Sequence, residues 1–169
     1  CDNSHVFVLG SILKQADPST FKVYKPYITW HKNGKADYFT GSGYASDSSH
    51  VFYYEYTVGN GFVVKGADVG SFDVLNYEFA KDSRSVFFMG RKVKGAKPES
   101  TIILSQGYCI SNSQVFYGNN VVPEAHAESF EVAKDSLGLG ILGKDHSNHY
   151  DAGMVVSIED FNKQVADNQ

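Results

Sequence analysis

Two histidines fall close together near the end of the chain, in Lys144-Asp145-His146-Ser147-Asn148-His149-Tyr150-Asp151. Imidazole and carboxylate groups are the usual ligands of zinc, and a small metal-dependent hydrolase would need three or four of them in one place. His146 and His149, with Asp145 and Asp151 beside them, supply the residue types without a complete ligand signature. The segment therefore reads as a polar turn. His5 and His50 occupy one recurring position where Ser85 and Gln114 stand elsewhere, which suits a turn residue better than a catalytic one. Asp2, Asp47, Asp82 and Asp145 also recur, each beside Ser, Asn or His. Calcium loops of the EF-hand or Gly-Gly-x-Gly-x-Asp kind have spacings that are missing here, so these carboxylates read as caps of their own turns.

Other chemistries find less. Gly41-Ser42-Gly43 lacks the spacing of a nucleophile elbow. Gly138, Gly140 and Gly143 have dinucleotide-fingerprint spacing but stand in a hairpin context, not a βαβ unit. Cys1 and Cys109 are the only cysteines, too few for a disulfide framework, and they fall at non-equivalent places. The reading is two unpaired thiols. Cys1 also stands where a lipoprotein carries its acylated residue, although the repeat pattern is already running there and leads one to expect more chain upstream. The sequence thus offers no catalytic set, no metal site and no cofactor site, and the expectation is a protein that binds and is not an enzyme.

Charge narrows the partner. The formal net charge is −4, and no run of Lys or Arg could neutralise a line of phosphates, so nucleic acid is excluded. No apolar stretch reaches the roughly 20 residues that a membrane-spanning helix needs. The unusual feature is 11 Tyr and 12 Phe against a single Trp, a composition that fits pleated sheet. Some rings belong to a run, Phe52-Tyr53-Tyr54-x-Tyr56, and others to a segment around Trp30. Both faces of such a strand are not expected to be core, so some rings should meet a partner. Tyr27, Trp30, Tyr38, Phe39, Tyr54 and Tyr56 are the candidate partner-binding residues.

The elements that would carry these residues are repeats. Asp2-Asn3-Ser4-His5-Val6-Phe7 returns as Asp47 to Tyr53, as Asp82 to Phe88, as Ser111 to Tyr117, and in worn form as Lys144 to Tyr150. A second block follows each time: Ala16-Asp17-Pro18-Ser19-Thr20-Phe21, then Ala67 to Phe72, Ala96 to Thr101, Ala125 to Phe130, and a worn Ser157 to Phe161. Asp with Ser or Asn makes a turn, and Val-aromatic-aromatic starts a strand. A Gly-bearing turn such as Met89-Gly90 reverses the chain into a second strand, giving a hairpin. The second block predicts one helical turn, with Asp17 as N-cap, Pro18 at the first position and Phe21 anchoring it. A third short strand follows.

The expected fold is therefore mainly β: an array of degenerate repeats, each a β-hairpin plus one short helical turn plus a strand. The units run over about 1–26, 44–78, 79–107, 108–136 and 137–169 of one domain, with an inserted hairpin at 27–43 turning near Asn33-Gly34. No unit can bury its rings alone, so neighbours must stack.

These blocks resemble the DKNYY family of bacterial proteins, whose repeats read Asp-Lys-Asn-x-Val-Tyr-Tyr, a Gly turn, and Gly-Ala-Asp-Pro-x-Thr-Phe. The matching segments are Asp47 to Tyr53, Asp82 to Phe88, Gly66 to Phe72 and Ala16 to Phe21, with Ser or Arg in place of Lys and Asn, and Phe often in place of Tyr. The resemblance implies a protein of the bacterial periplasm or envelope, tethered through a lipid anchor in some members. It further implies an immunity protein of the toxin–antitoxin or type VI secretion kind, which neutralises a cognate toxic effector, such as a phospholipase, by occlusion. A structural or glycan-binding repeat protein is the alternative.

Overall fold

Val-aromatic pairs bounded by Asp-Ser and Gly turns fold as the sequence pattern demands, into small antiparallel sheets joined by tight turns. The computed structural model describes residues 4–8, 10–24, 42–55, 57–134 and 139–165, together with the backbone of 27–30 and 36–39. The chain divides into two compact units, residues 1–83 with 89–91, and residues 84–88 with 92–169.

In the first unit, β1 (Phe7–Val8) and β2 (Ser11–Ile12) form a two-residue hairpin. β3 (Lys22–Val23) is followed by a separate hairpin of β4 (Tyr27–Trp30) and β5 (Ala36–Phe39). β6 (Gly43–Ser46), β7 (Val51–Glu55) and β8 (Asn60–Val63) then complete a four-stranded sheet in the order β3-β6-β7-β8. β9 (Asp73–Val74) and β10 (Phe79–Lys81) pair next. The division between units runs through the copy that holds β11 (Val86–Phe88) and β12 (Arg91–Lys92).

The second unit contains two complete sheets. One is β13 (Ile102–Ile103), β14 (Tyr108–Ser111), β15 (Gln114–Tyr117) and β16 (Asn120–Val121). The other is β17 (Glu131–Val132), β18 (Leu142–Lys144), β19 (His149–Asp151) and β20 (Met154–Val156). A helix, α1 (Ile158–Gln164), closes the described chain, capped by the Ser157 hydroxyl on the Asp160 amide. It stands where the worn fifth helical-turn block was read, and Phe161 buries its ring as the anchor position requires.

The second block forms the expected single turn. Thr20, Ser71, Ser100 and Ser129 each donate their amide to the carbonyl three residues back, and two of the turns are 3-10 helix, at Val69–Ser71 and Pro98–Ser100. Asp17 caps its turn by accepting from the Ser19 amide at 2.9 Å, the Ser19 hydroxyl at 2.7 Å and the Thr20 hydroxyl at 3.0 Å. Phe72 and Phe130 are buried, each against the tyrosine that precedes the recurrent Asp or its equivalent: Tyr44 at 5.4 Å and Tyr108 at 5.1 Å between ring centroids.

The recurrent Asp does two jobs. One oxygen of Asp47 accepts from the amides of Ser49 and His50, which makes the turn before β7. Its other oxygen accepts from the amide of Asp17, at the preceding helical turn, at 3.0 Å. Asp82 holds Asp68 in the same way at 3.0 Å, and Asp145 holds His126 at 2.8 Å. Ser111 replaces the Asp in one copy and still holds Lys97, its Oγ accepting from the Lys97 amide at 2.7 Å. In that copy the buried Phe is also replaced: Thr101 stands there and donates its hydroxyl to Ser111 Oγ at 2.9 Å. The two departures compensate each other.

The stacking expectation holds inside each unit, and it corrects the idea that one strand face must stay free. Val51, Phe52 and Tyr53 are consecutive and all 1% exposed or less. Successive strand residues point to opposite faces, so both faces of this sheet are covered. Phe52 packs in a cluster with Val6, Leu13 and Ala45 from the copy before. Tyr53 packs edge-on to Tyr44, at 5.1 Å, and under Gly90 of the copy after. A Cβ on Gly90 would stand 2.5 Å from Tyr53 Cβ, and the residue has φ +72°. Gly153 repeats the contact in the second unit, 2.7 Å from Tyr117 Cβ at φ +79°. The same glycines donate their amides to buried tyrosine hydroxyls, Gly90 to Tyr44 at 3.1 Å and Gly153 to Tyr108 at 2.9 Å.

Candidate binding surface

The first sheet differs from the next two copies at one end. β6 and β7 pair with Gly43 opposite Tyr54, so the start of β6 and the end of β7 share an edge of the sheet. The connection from β3 to β6, residues 24–42, enters at that end. The turn from β7 to β8, residues 56–59, leaves from the same end. In the next copies the corresponding connections are only residues 75–78 and 104–107, and the corresponding turns only 89–90 and 118–119. The two elongations therefore emerge side by side.

The inserted hairpin predicted from Asn33-Gly34 is present as a strand pair, with Tyr27 opposite Phe39, Ile28 opposite Tyr38 and Trp30 opposite Ala36. Of Tyr27, Trp30, Tyr38 and Phe39 the structure describes this backbone pairing. Tyr56 and Cys1 lie outside the described residues. Tyr54 is half-buried, with its hydroxyl close to Gly43, and burial raises its pKa. The exposed rings and side chains of the long hairpin are others: Val58 is 66% and Phe62 40% exposed. The return strand of this hairpin begins at Asn60, two residues before Phe62, where the aromatic and β-branched run Phe62-Val63-Val64 leads one to expect it. Asn60 and Gly61 are strand residues, and a Cβ on Gly61 would stand 2.7 Å from the Leu13 methyl.

The two histidines of the last copy, His146 and His149, face different partners. His149 begins β19 and lays its ring on Phe161 at 4.7 Å. His146, in the turn before it, faces His126 instead, with ring centroids 4.2 Å apart. His126 was not singled out from the sequence. It occupies the position of Asp17 and Asp68, and only the alignment of the copies points to it. Among the described residues, no group of three or more His, Cys, Asp or Glu side chains is placed to hold a metal. The Asp145 carboxyl is held down to about 2: burial pushes it up, but the amides of His126, Ser147 and Asn148 and the Tyr150 hydroxyl outweigh that. The Asp47 carboxyl is lowered in the same manner by the amides of Asp17, Ser49 and His50 and by the nearby His50, against the opposing effect of burial. These oxygens are engaged by the protein's own amides, which accords with turn caps. Cys109 is free and fully buried in β14, and burial pushes its thiol up to about 12. Among the described residues no helix is long and apolar enough to cross a membrane.

Residues 44–164 match the DKNYY family. The chain belongs to it. The matched span begins at Tyr44 in β6 and ends at the last residue of α1, so it takes in both complete sheets of the second unit and the three strands of the first sheet from β6 onward. The first hairpin and the insert precede it. No curated protein and no solved structure matches the chain.

Proposed function

We propose that this DKNYY-family chain is a non-catalytic protein-binding module of the bacterial envelope, and that it acts as an immunity protein, blocking a toxic effector by covering its surface. The observation that supports this reading is the shared end of the first sheet, where the inserted hairpin and the lengthened β7–β8 hairpin emerge together. The next two copies make the same connections with minimal turns, so stacking does not require the extra chain. Long insertions in a repeat array gather on a binding face. Tyr27, Trp30, Tyr38 and Phe39 are the ring types that anchor protein interfaces. An acidic chain without a basic run suits a protein partner better than nucleic acid.

The repeat supplies its own control. Tyr24 donates its amide to Tyr44 just as Leu75 donates to Phe79, so residues 25–42 can be exchanged for the shorter Asn76-Tyr77, with Gly43 kept in the place of Glu78. The parent and this variant are tested against the product of the adjacent gene, by pull-down and by protection of cells that express it. The expected result is a folded variant that neither binds nor protects, with Trp30→Ala weakening binding by itself. A variant that binds as well as the parent overturns the choice of surface. An adjacent product that the parent does not bind overturns the immunity reading.

A further inference from the structure

The copies within one chain act as internal controls for one another. At the junction between each helical turn and the recurrent Asp, two positions face each other. The first opens the helical turn and is Asp17, Asp68, Lys97 or His126. The second follows the recurrent Asp or its substitute and is Ser48, Ser83, Asn112 or His146. The backbone chemistry is the same in all four: the residue at the second position donates its amide to the hydroxyl of the turn, namely Thr20, Ser71, Ser100 and Ser129. Three copies build this junction without imidazole, so the fold does not require it. Asp17 and Asp68 spend their carboxylates on hydroxyls of their own turns. His126 gives up that service, and it does so in the one copy where the facing position is also histidine.

The two rings stand 4.2 Å apart and tilted by 44°, both on exposed residues. With Ser113, Glu128 and Ser129 they line an open hollow of about 530 Å³. Ser129 sits against the His146 ring. Its hydroxyl reaches the His126 carbonyl at 3.5 Å as donor, and it accepts from the His146 amide at 3.4 Å. Oγ stands 2.9 Å from Nδ1 of His146, and the tautomer with its proton on Nδ1 leaves the lone pair on Nε2. A histidine whose one nitrogen donates to a neighbour while the other keeps its lone pair is the usual arrangement around a bound metal. Asp145 precedes His146 in the chain and accepts from the His126 amide at 2.8 Å, and Glu128 lines the same hollow. The local charge therefore favours a cation.

We propose that His126 and His146 form an open, two-imidazole site for a divalent transition-metal ion that prefers nitrogen ligands, such as Zn²⁺, Ni²⁺ or Cu²⁺, with water completing the coordination. Such a site is weaker than a closed cage of four ligands, and it leaves positions free for a further donor. It is independent of the surface on the first sheet.

The test titrates the full chain with Zn²⁺ and with Cu²⁺ at pH 7.5 by calorimetry, and follows imidazole resonances during addition of a trace of Cu²⁺. One ion per chain is expected. His126→Ala and His146→Ala should each reduce the affinity at least tenfold, and Ser129→Ala should reduce it less. His149→Ala should leave it unchanged, because that ring is turned onto Phe161. The resonances of His126 and His146 should broaden first. Binding should weaken at lower pH, since protons compete for the same lone pairs. The chain has six histidines, so an adventitious ion only is a defined outcome. It would show as binding that survives both His126→Ala and His146→Ala, or as broadening spread evenly over all rings, and either result overturns the site.

Discussion

Replacing Gly90 with alanine should cost far more than the same change at Gly66, although both residues have φ in the left-handed region, at +72° and +79°. Placing a β-carbon there costs about 1 kcal/mol at either position. Around Gly66 nothing lies within 4 Å of the new atom, so that cost is the whole effect. At Gly90 the new methyl would stand 2.5 Å from Tyr53 Cβ and 3.0 Å from the Phe62 ring. Tyr53 cannot withdraw, because it is buried against Tyr44. Overpacking of this kind adds about 1–3 kcal/mol. Gly90→Ala should therefore lose about 3 kcal/mol and Gly66→Ala about 1. Urea unfolding reads the gap: with a slope of about 2 kcal/mol/M, the midpoints should differ by about 1 M. Gly10, at φ +82° with open space around it, provides a second control in the same unit. Equal midpoints for the Gly90 and Gly66 variants would refute the claim that copies are held together by glycine turns lying on the aromatic residue of the copy before.

Three further outcomes follow from the buried groups. Asp145 has its folded pKa lowered from 3.8 to about 2, so its contribution of about 2 kcal/mol is complete above the unfolded value and lost as pH falls through about 2. In chemical denaturation between pH 5 and pH 2, Asp145→Asn should flatten the acid decline of the parent. Glu78 moves the other way: burial raises its carboxyl from 4.5 to about 7, against a hydrogen bond from Tyr77 that lowers it. The folded chain keeps a proton that the unfolded chain releases, so stability falls by up to about 3 kcal/mol as pH rises from 4.5 past 7. Glu78→Gln should then raise the melting temperature at pH 8 and leave it unchanged near pH 4. Cys109, fully buried with a thiol shifted up to about 12, should resist a thiol reagent in the native protein and react once denaturant has unfolded the second unit, as followed by absorbance of the released chromophore.

Much of this architecture was readable from residue types. Asp followed by Ser or Asn marks a turn for a local reason, and Asp47 and Asp145 do cap their own amides. Pro18 and Asp17 placed a helical turn, and the Phe positions anchored it. The insert was visible because it interrupts the spacing. What escaped depends on contacts between copies. β3, β9, β13 and β17 are two-residue strands, too short to show a period. Each pairs forward with the strand before the next recurrent Asp or its equivalent. That preceding strand was represented in the sequence only by an aromatic residue, Tyr44, Phe79 or Tyr108. The burial of Phe52 and Tyr53 together escaped because alternation is normally read with one wet face, whereas β7 is covered on both faces at these residues. His126 facing His146 joins residues from two blocks, and neither block alone shows it.

The forward pairing of those short strands also bears on how such a protein can gain or lose a segment. A cut made where the letters begin to repeat, just before Tyr108 or just before Leu142, separates β13 from β14 or β17 from β18 and tears a sheet in two. A cut in the stretch after the return strand, near residues 94–96 or 123–125, passes between sheets and leaves each one whole. Recombination that changes copy number should therefore be tolerated at the second kind of joint and rejected at the first, so the heritable module is out of phase with the motif by which it is recognised.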